Sequence, residues 1–208
     1  MARMPTIVVP GVPQHVTQLN IGREPMFIHP QDYATFLIDL GEAAAVFGCA
    51  VHAYVLMPDH LHLLLTPAEP DGPSRLMHAL VERFEEYLDR RYARRGLSCD
   101  LVLRANAVHS DRDFLACCRH IELDPVRVGI VSEPVAYRWS SFRANGLGAR
   151  DAVLTPHPSY LALGATRVER QRAYRALFER RLDAEAVRLL RQAAVGRPAP
   201  KSGFVVSP

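Results

Sequence analysis

The sequence predicts an α+β fold, a mainly antiparallel sheet with helices packed on it. Three observations lead there. Strand and helix patterns alternate in the order strand, helix, hairpin, helix, strand, helix, which suits an antiparallel sheet better than a doubly wound parallel one. Two apolar alternating runs are separated only by Pro58-Asp59, the mark of a hairpin. The chain also carries no Gly-rich phosphate loop.

Each element has its own signal. Thr6 to Val9 and His15 to Leu19 flank the turn signal Pro10-Gly11-Val12-Pro13, so a strand is expected at the start, and the prolines suggest an edge position. From Gln31 to Phe47, residues Tyr33, Phe36, Leu37, Leu40, Ala44 and Phe47 recur at helical spacing and Gly48 follows as a stop. Val51, Ala53, Val55 and Met57 alternate with His52, Tyr54 and Leu56, and His60 to Leu65 alternates again. A second helix follows Pro73-Ser74 with Leu76, Leu80, Phe84 and Leu88 on one face. Arg83, Arg90, Arg91, Arg94 and Arg95 crowd its later turns before Gly96; they are either a phosphate-binding cluster or cations that complement the helix dipole. Leu101 to Val108 reads as a strand, and Phe114, Leu115, Cys117, Cys118 and Ile121 mark a helix ending near Pro125.

After Phe142 the composition changes, and a boundary is expected near residue 145. Residues 1–145 would form one domain and 146–208 a helical C-terminal extension with a mobile tail from Arg197. Within the extension, Thr166 and Glu169 form a capping-box pattern opening a basic helix through Arg181, with a further helix from Ala184 to Val195.

Composition narrows the function classes. With 208 residues and 49% hydrophobic content the chain supports a sizeable core. Lys201 is the only lysine among 25 basic residues. That bias has two readings: arginine chosen for bidentate phosphate recognition, or the codon habit of a GC-rich genome. Cys49, Cys99, Cys117 and Cys118 contain no CxxC pair and read as core thiols in a reducing compartment. No run approaches the roughly 18 apolar residues of a membrane span, and Met1 to Pro13 resembles no signal peptide. A cytoplasmic location without a membrane partner is expected.

The sharpest chemical feature is His60-Leu61-His62 within an alternating strand. Side chains two apart on a strand share a face, so both imidazoles can converge on one metal ion, leaving Leu61, Leu63 and Leu65 for the core. By itself such a pair is more often two ordinary histidines than a metal site.

Its context adds to that. The string Ala53-Tyr54-Val55-Leu56-Met57-Pro58-Asp59-His60-Leu61-His62-Leu63-Leu64-Leu65 closely resembles the signature of the IS200-like single-strand DNA transposases, especially the REP-associated tyrosine transposases. Arg119-His120-Ile121-Glu122-Leu123-Asp124-Pro125-Val126-Arg127 resembles the family's Arg-Tyr-Ile-Glu-Leu-Asn-Pro-Val-Arg helix end. Tyr137 to Arg143 and Val12 to Gln18 continue the likeness, which spans most of residues 5 to 182.

The resemblance implies a ferredoxin-like antiparallel sheet with flanking helices. It also implies that His60 and His62, with a polar residue of the later helix, hold a divalent metal against a scissile phosphate. Mg or Mn is expected, with Zn as the alternative. A helix tyrosine would then attack and become joined to single-stranded or hairpin DNA, as monomer or homodimer. Such a metal withdraws charge from a phosphate oxygen, and a covalent nucleophile splits transfer into two steps.

Two catalytic positions depart from the pattern. The tyrosine's place is taken by His120, and the third ligand's by Asp124 instead of asparagine. An imidazole would give a more labile phosphoramidate, or no link. Leu97 to Arg104 also lacks the family's usual Leu-Trp-Glu/Gln-Gly-Arg-Phe/Tyr pattern. Residues four apart on a helix share a face, so His120 and Asp124 could both point to the His60 and His62 strand, although Pro125 disfavours helical geometry at Asp124. Three readings follow: a metal-dependent cleaving and joining enzyme, a DNA-binding protein without cleavage, and a metal-dependent phosphodiesterase. DNA contacts are expected from Arg119, Arg127, Arg138 and Arg143, supplemented by Arg90 and Arg91. Trp139 and Phe142 read as packing anchors in preference to base-stacking platforms.

Overall fold

The computed structural model describes residues 8–20, 25–92 and 101–179. Its centre is a four-stranded antiparallel sheet of β1 (Gln14–Asn20), β2 (Cys49–Leu56), β3 (His60–Pro67) and β4 (Leu101–Ala107), in the order β2-β3-β1-β4. With α1 (Pro30–Val46) between β1 and β2, and α2 (Gly72–Tyr92) between β3 and β4, this is the ferredoxin-like arrangement. The first strand is therefore interior, not at the edge. Pro10 and Pro13 precede Gln14, so neither removes a ladder donor, and β1 pairs with β3 on one side and β4 on the other.

The hairpin forms as expected between β2 and β3, but the alternation along β2 breaks. A register shift between Val51 and Ala53 turns Val51 to the same cluster as Tyr54 and Leu56, while Ala53, Val55 and Met57 join the other. Both faces of the sheet are covered. On one, Leu61, Leu63, Leu65 and Val16 pack with Phe36 and Leu40 of α1 and Leu76, Leu80 and Phe84 of α2. On the other, Leu64, Ala53 and Val55 pack with Phe114, Cys117, Cys118 and Ile121 of α3 (Asp111–Glu122). Coverage on two sides explains why β3 reads almost continuously apolar through Leu63-Leu64-Leu65.

Residues on both sides of position 145 share the second cluster, since Phe142 of α5 (Phe142–Leu147) and Tyr174 of α7 (Arg167–Glu179) pack with Phe114 and Ile121. Short stretches before and after α5 run along the free edge of β2, with backbone bonds from Ser141 N to the Tyr54 carbonyl and from Thr155 N to the Val51 carbonyl. That contact blunts one edge of the sheet. The capping box of α7 is present, Thr166 N donating to Glu169 and Glu169 N to Thr166 Oγ1. Cys49, Cys117 and Cys118 are buried free thiols. Arg94, Arg95, Cys99, the helix expected at Ala184 to Val195 and the tail from Arg197 lie outside the described residues. No described helix is long and apolar enough to cross a membrane.

Candidate metal and nucleic-acid site

Two strands and one helix end meet at a polar pocket buried within the fold. His60 and His62 are only 2% and 5% exposed, on the β3 face opposite Leu61 and Leu63. A face carrying these histidines is thus covered, not left open to solvent, because α3 and the turn after it close over it. The register places Thr17 of β1 directly opposite His62. Thr17 Oγ1 and His15 Nε2 each lie 3.0 Å from His62 Nδ1, and the His15 ring stacks on His62 at 5.1 Å.

His15 and Thr17 are site residues that sequence reasoning did not assign. Their signal was the spacing of two, the same as in His60-Leu61-His62. That spacing shows a shared face on one strand, but only the pairing of β1 with β3 makes the two faces one surface.

The helix end supplies the carboxylate. α3 stops at Glu122, Leu123 serves as its C-cap, and a separate single turn, α4 (Asp124–Arg127), begins there. Pro125 falls at the N-terminal turn of α4, where a missing N–H costs nothing. Asp124 is nonetheless the first residue of α4, so Pro125 does not keep it out of the helix; the break between the two helices falls one residue earlier, at Leu123. Asp124 Oδ2 sits 2.7 Å from His60 Nε2 and 3.8 Å from His62 Nε2. Its other oxygen accepts a 2.6 Å bond from Arg127 Nη2, and His60 Nδ1 lies 2.6 Å from Asp59.

His120 reaches the same pocket by its ring, edge-on to His62 and His15 at 5.6 and 5.7 Å between centroids. Its Nδ1 accepts from Arg127 Nη1 at 2.5 Å, and its carbonyl from Nη2 at 2.8 Å.

Protonation follows from these contacts. Burial opposes charge on His60, yet its hydrogen bonds to Asp124 and Asp59 outweigh that and raise its pKa above the ordinary histidine value. Burial alone would raise the Asp124 pKa, but the His60 hydrogen bond and the neighbouring His62, His60 and Arg127 hold it well below the usual carboxylate range. His15 falls to about 4 through burial first and Arg127 second. His62 and His120 are also held well below their ordinary value, by burial and then by neighbouring His15 or Arg127.

This donor set fits a divalent ion. Among the described residues, His60, His62 and Asp124 form a group whose ligand atoms all lie within 4.8 Å of one another. Two imidazoles and one carboxylate suit a transition-metal or Mn-type site that keeps positions open. With Nδ1 of each histidine engaged by Asp59 or by Thr17 and His15, the Nε2 atoms are the ones turned to Asp124, the usual outer support of metal-binding imidazoles. His120 stands beside this group and is not part of it.

The other arginines distribute unevenly. Arg127 joins the cluster through its bonds to Asp124 and His120. Arg138 and Arg143 are exposed, Arg138 lying over the Trp139 ring and Arg143 bonded to the Val135 carbonyl. Arg119 is buried at 9% exposure. Arg90 and Arg91 are exposed at the end of α2, where Arg91 approaches Asp32 of α1, on the sheet face away from α3. Trp139 stacks on Tyr33 at 4.7 Å and Phe142 packs edge-on to Phe178, so both serve as packing anchors.

All seven tyrosines of the chain are described, and each hydroxyl is engaged. Tyr54 donates to Asp151, Tyr87 and Tyr92 to Asp32, Tyr160 to the Asn145 carbonyl, and Tyr174 to Glu122. Tyr137 donates to the Leu56 carbonyl and shares a hydrogen bond with Tyr33. None of these hydroxyls is bonded to His60, His62 or Asp124.

Among solved structures, the chain is similar to a REP-associated tyrosine transposase bound to a REP hairpin. The TM-score is 0.61 and the identity 17%, over 76% of this chain and 93% of that one. That likeness shows a shared fold. No protein-family model and no curated protein matches the sequence.

Proposed function

We propose that this chain binds single-stranded or hairpin DNA and presents one phosphate to a divalent ion held by His60, His62 and Asp124. In this reading strand cleavage, where it occurs, is hydrolytic. The convergence of those three buried side chains at one end of the sheet carries the reading. The fold shared with a hairpin-bound transposase supports DNA as the partner. A bound divalent ion would withdraw charge from a phosphate oxygen and orient it.

The chain's own residues set the rest. Thr17 and His15 fix the His62 ring, Asp59 fixes His60, and Arg127 fixes Asp124. Arg127 also offers guanidinium charge beside the phosphate, with the exposed Arg138 and Arg143 available to its flanks. Since every tyrosine hydroxyl is engaged elsewhere, no tyrosyl link to DNA is expected, and water is left as the attacking group.

The deciding experiment incubates the chain with radiolabelled hairpin DNA and Mg or Mn, with and without chelator. Shortened strands, repeated turnover and no denaturation-resistant protein-DNA complex are expected. A covalent complex would overturn the hydrolytic reading. Tight binding with no cleavage would favour the second reading, a DNA-binding protein that has lost phosphoryl transfer. The observation behind that second reading is Arg127, whose three bonds already occupy Asp124 Oδ1, His120 Nδ1 and the His120 carbonyl.

A further inference from the structure

We infer that Arg127 locks His120 as the tautomer protonated on Nε2, making it a hydrogen-bond donor to a phosphate oxygen of the bound strand and not the attacking group. This rests on the DNA-binding reading above for the identity of the acceptor, but not for the tautomer.

A guanidinium has five donors and no acceptor. Its Nη1 contacts His120 Nδ1 at 2.5 Å, so Nδ1 must present its lone pair. A proton there would set N–H against N–H. The neutral ring therefore carries its single proton on Nε2. Arg127 Nη2 bridges the His120 carbonyl and Asp124 Oδ1 at the same time, at 2.8 and 2.6 Å. Gripping both the ring and the backbone of one residue leaves the imidazole little freedom to turn.

Attack on phosphorus needs a free nitrogen lone pair. Nδ1 has committed its own to Arg127, and Nε2 bears the proton. Nucleophilic use of His120 is closed while this clamp stands. Donation is open: among the described residues no hydrogen-bond partner satisfies Nε2, and the ring stands 5.6 Å from the His62 ring, beside the candidate ligands. An anionic oxygen held near His62 would meet a neutral donor already oriented, with no ordering left to do at binding. A phenol at the same position would be both donor and nucleophile; the imidazole clamped here retains only the first role.

Two measurements test this on the full chain. Long-range proton-nitrogen correlation spectra of the ion-free protein, with the His120 signals assigned by their loss in His120→Gln, should show Nδ1 unprotonated and Nε2 protonated. Arg127→Met should release that fixed pattern. A protonated Nδ1 in the wild-type chain overturns the lock.

Hairpin DNA binding is then measured with Mn present. His120→Leu should weaken it about tenfold, the worth of one hydrogen bond to a charged oxygen, whereas His120→Gln, which keeps an N–H donor, should stay within about twofold. Mn affinity and melting temperature should change little in both, a pattern that a purely structural role would not give. Equal DNA affinity for His120→Leu and wild type overturns the donor role, as does a phosphoramidate adduct on His120. Failure of the wild-type chain to bind any hairpin overturns the reading of the site, while the spectrum still decides the tautomer.

Discussion

Replacing Asp124 with alanine tests the pocket at its centre. The substitution removes a carboxylate that is 2% exposed, accepts 2.6 Å from Arg127, and lies 2.7 Å from His60. Removing one partner of a buried ion pair typically costs about 3–5 kcal/mol. The lower end applies here, because the Arg127 side chain is 35% exposed and can turn to water, and His60 keeps Asp59. A loss of about 3 kcal/mol corresponds to a melting temperature lower by about 6–12 °C for a chain of this size. The ion adds a second readout. A wild-type protein in Mn at about a hundred times its dissociation constant gains about 2.7 kcal/mol, and Asp124→Ala should forfeit most of that gain. Scanning calorimetry with Mn, and with chelator, measures both. A variant that melts with the wild type and still gains the full increment from Mn would refute the reasoning, since Asp124 would then be neither a charge anchor nor a ligand.

Other expectations concern the frame around the site. Leu64→Ala, at a fully buried position of β3 packed under α3, should cost about 3 kcal/mol in denaturant unfolding; a cost under 1 kcal/mol would mean that the second core collapses freely around it. Tyr174→Phe removes a 2.8 Å donor from the buried Glu122 and should cost about 2 kcal/mol, read by the same titration. Burial depresses His52 from 6.5 to about 4, so the unfolded chain takes up its proton first. Its contribution is complete above pH 6.5 and is lost as the pH falls to about 4, at most about 3 kcal/mol. His52→Gln should therefore flatten the decline in stability between those pH values, and an unchanged slope would assign the decline to other groups.

Much of this molecule is written locally in its sequence. Alternation around Pro58-Asp59 determines the hairpin, helical spacing determines α1 and α2, and the spacing of two puts His60 and His62 on one face, because these depend only on residues within a turn or two. The family likeness of the segment from Arg119 to Arg127 pointed to His120 and Asp124 as residues of one region. Tertiary structure decided what these faces meet. Placing β1 between β3 and β4 brought His15 and Thr17 against His62, a pairing across 47 and 45 residues that no local pattern encodes. It also moved the first strand from the expected edge to the interior. The break at Leu123 aimed Asp124 at His60 despite Pro125, and Arg127 folded back across both Asp124 and His120. A period fixes which way a side chain points; only chain closure over long separations fixes its neighbour, and in this site burial lowers His15, His62 and His120 while neighbours decide His60 and Asp124.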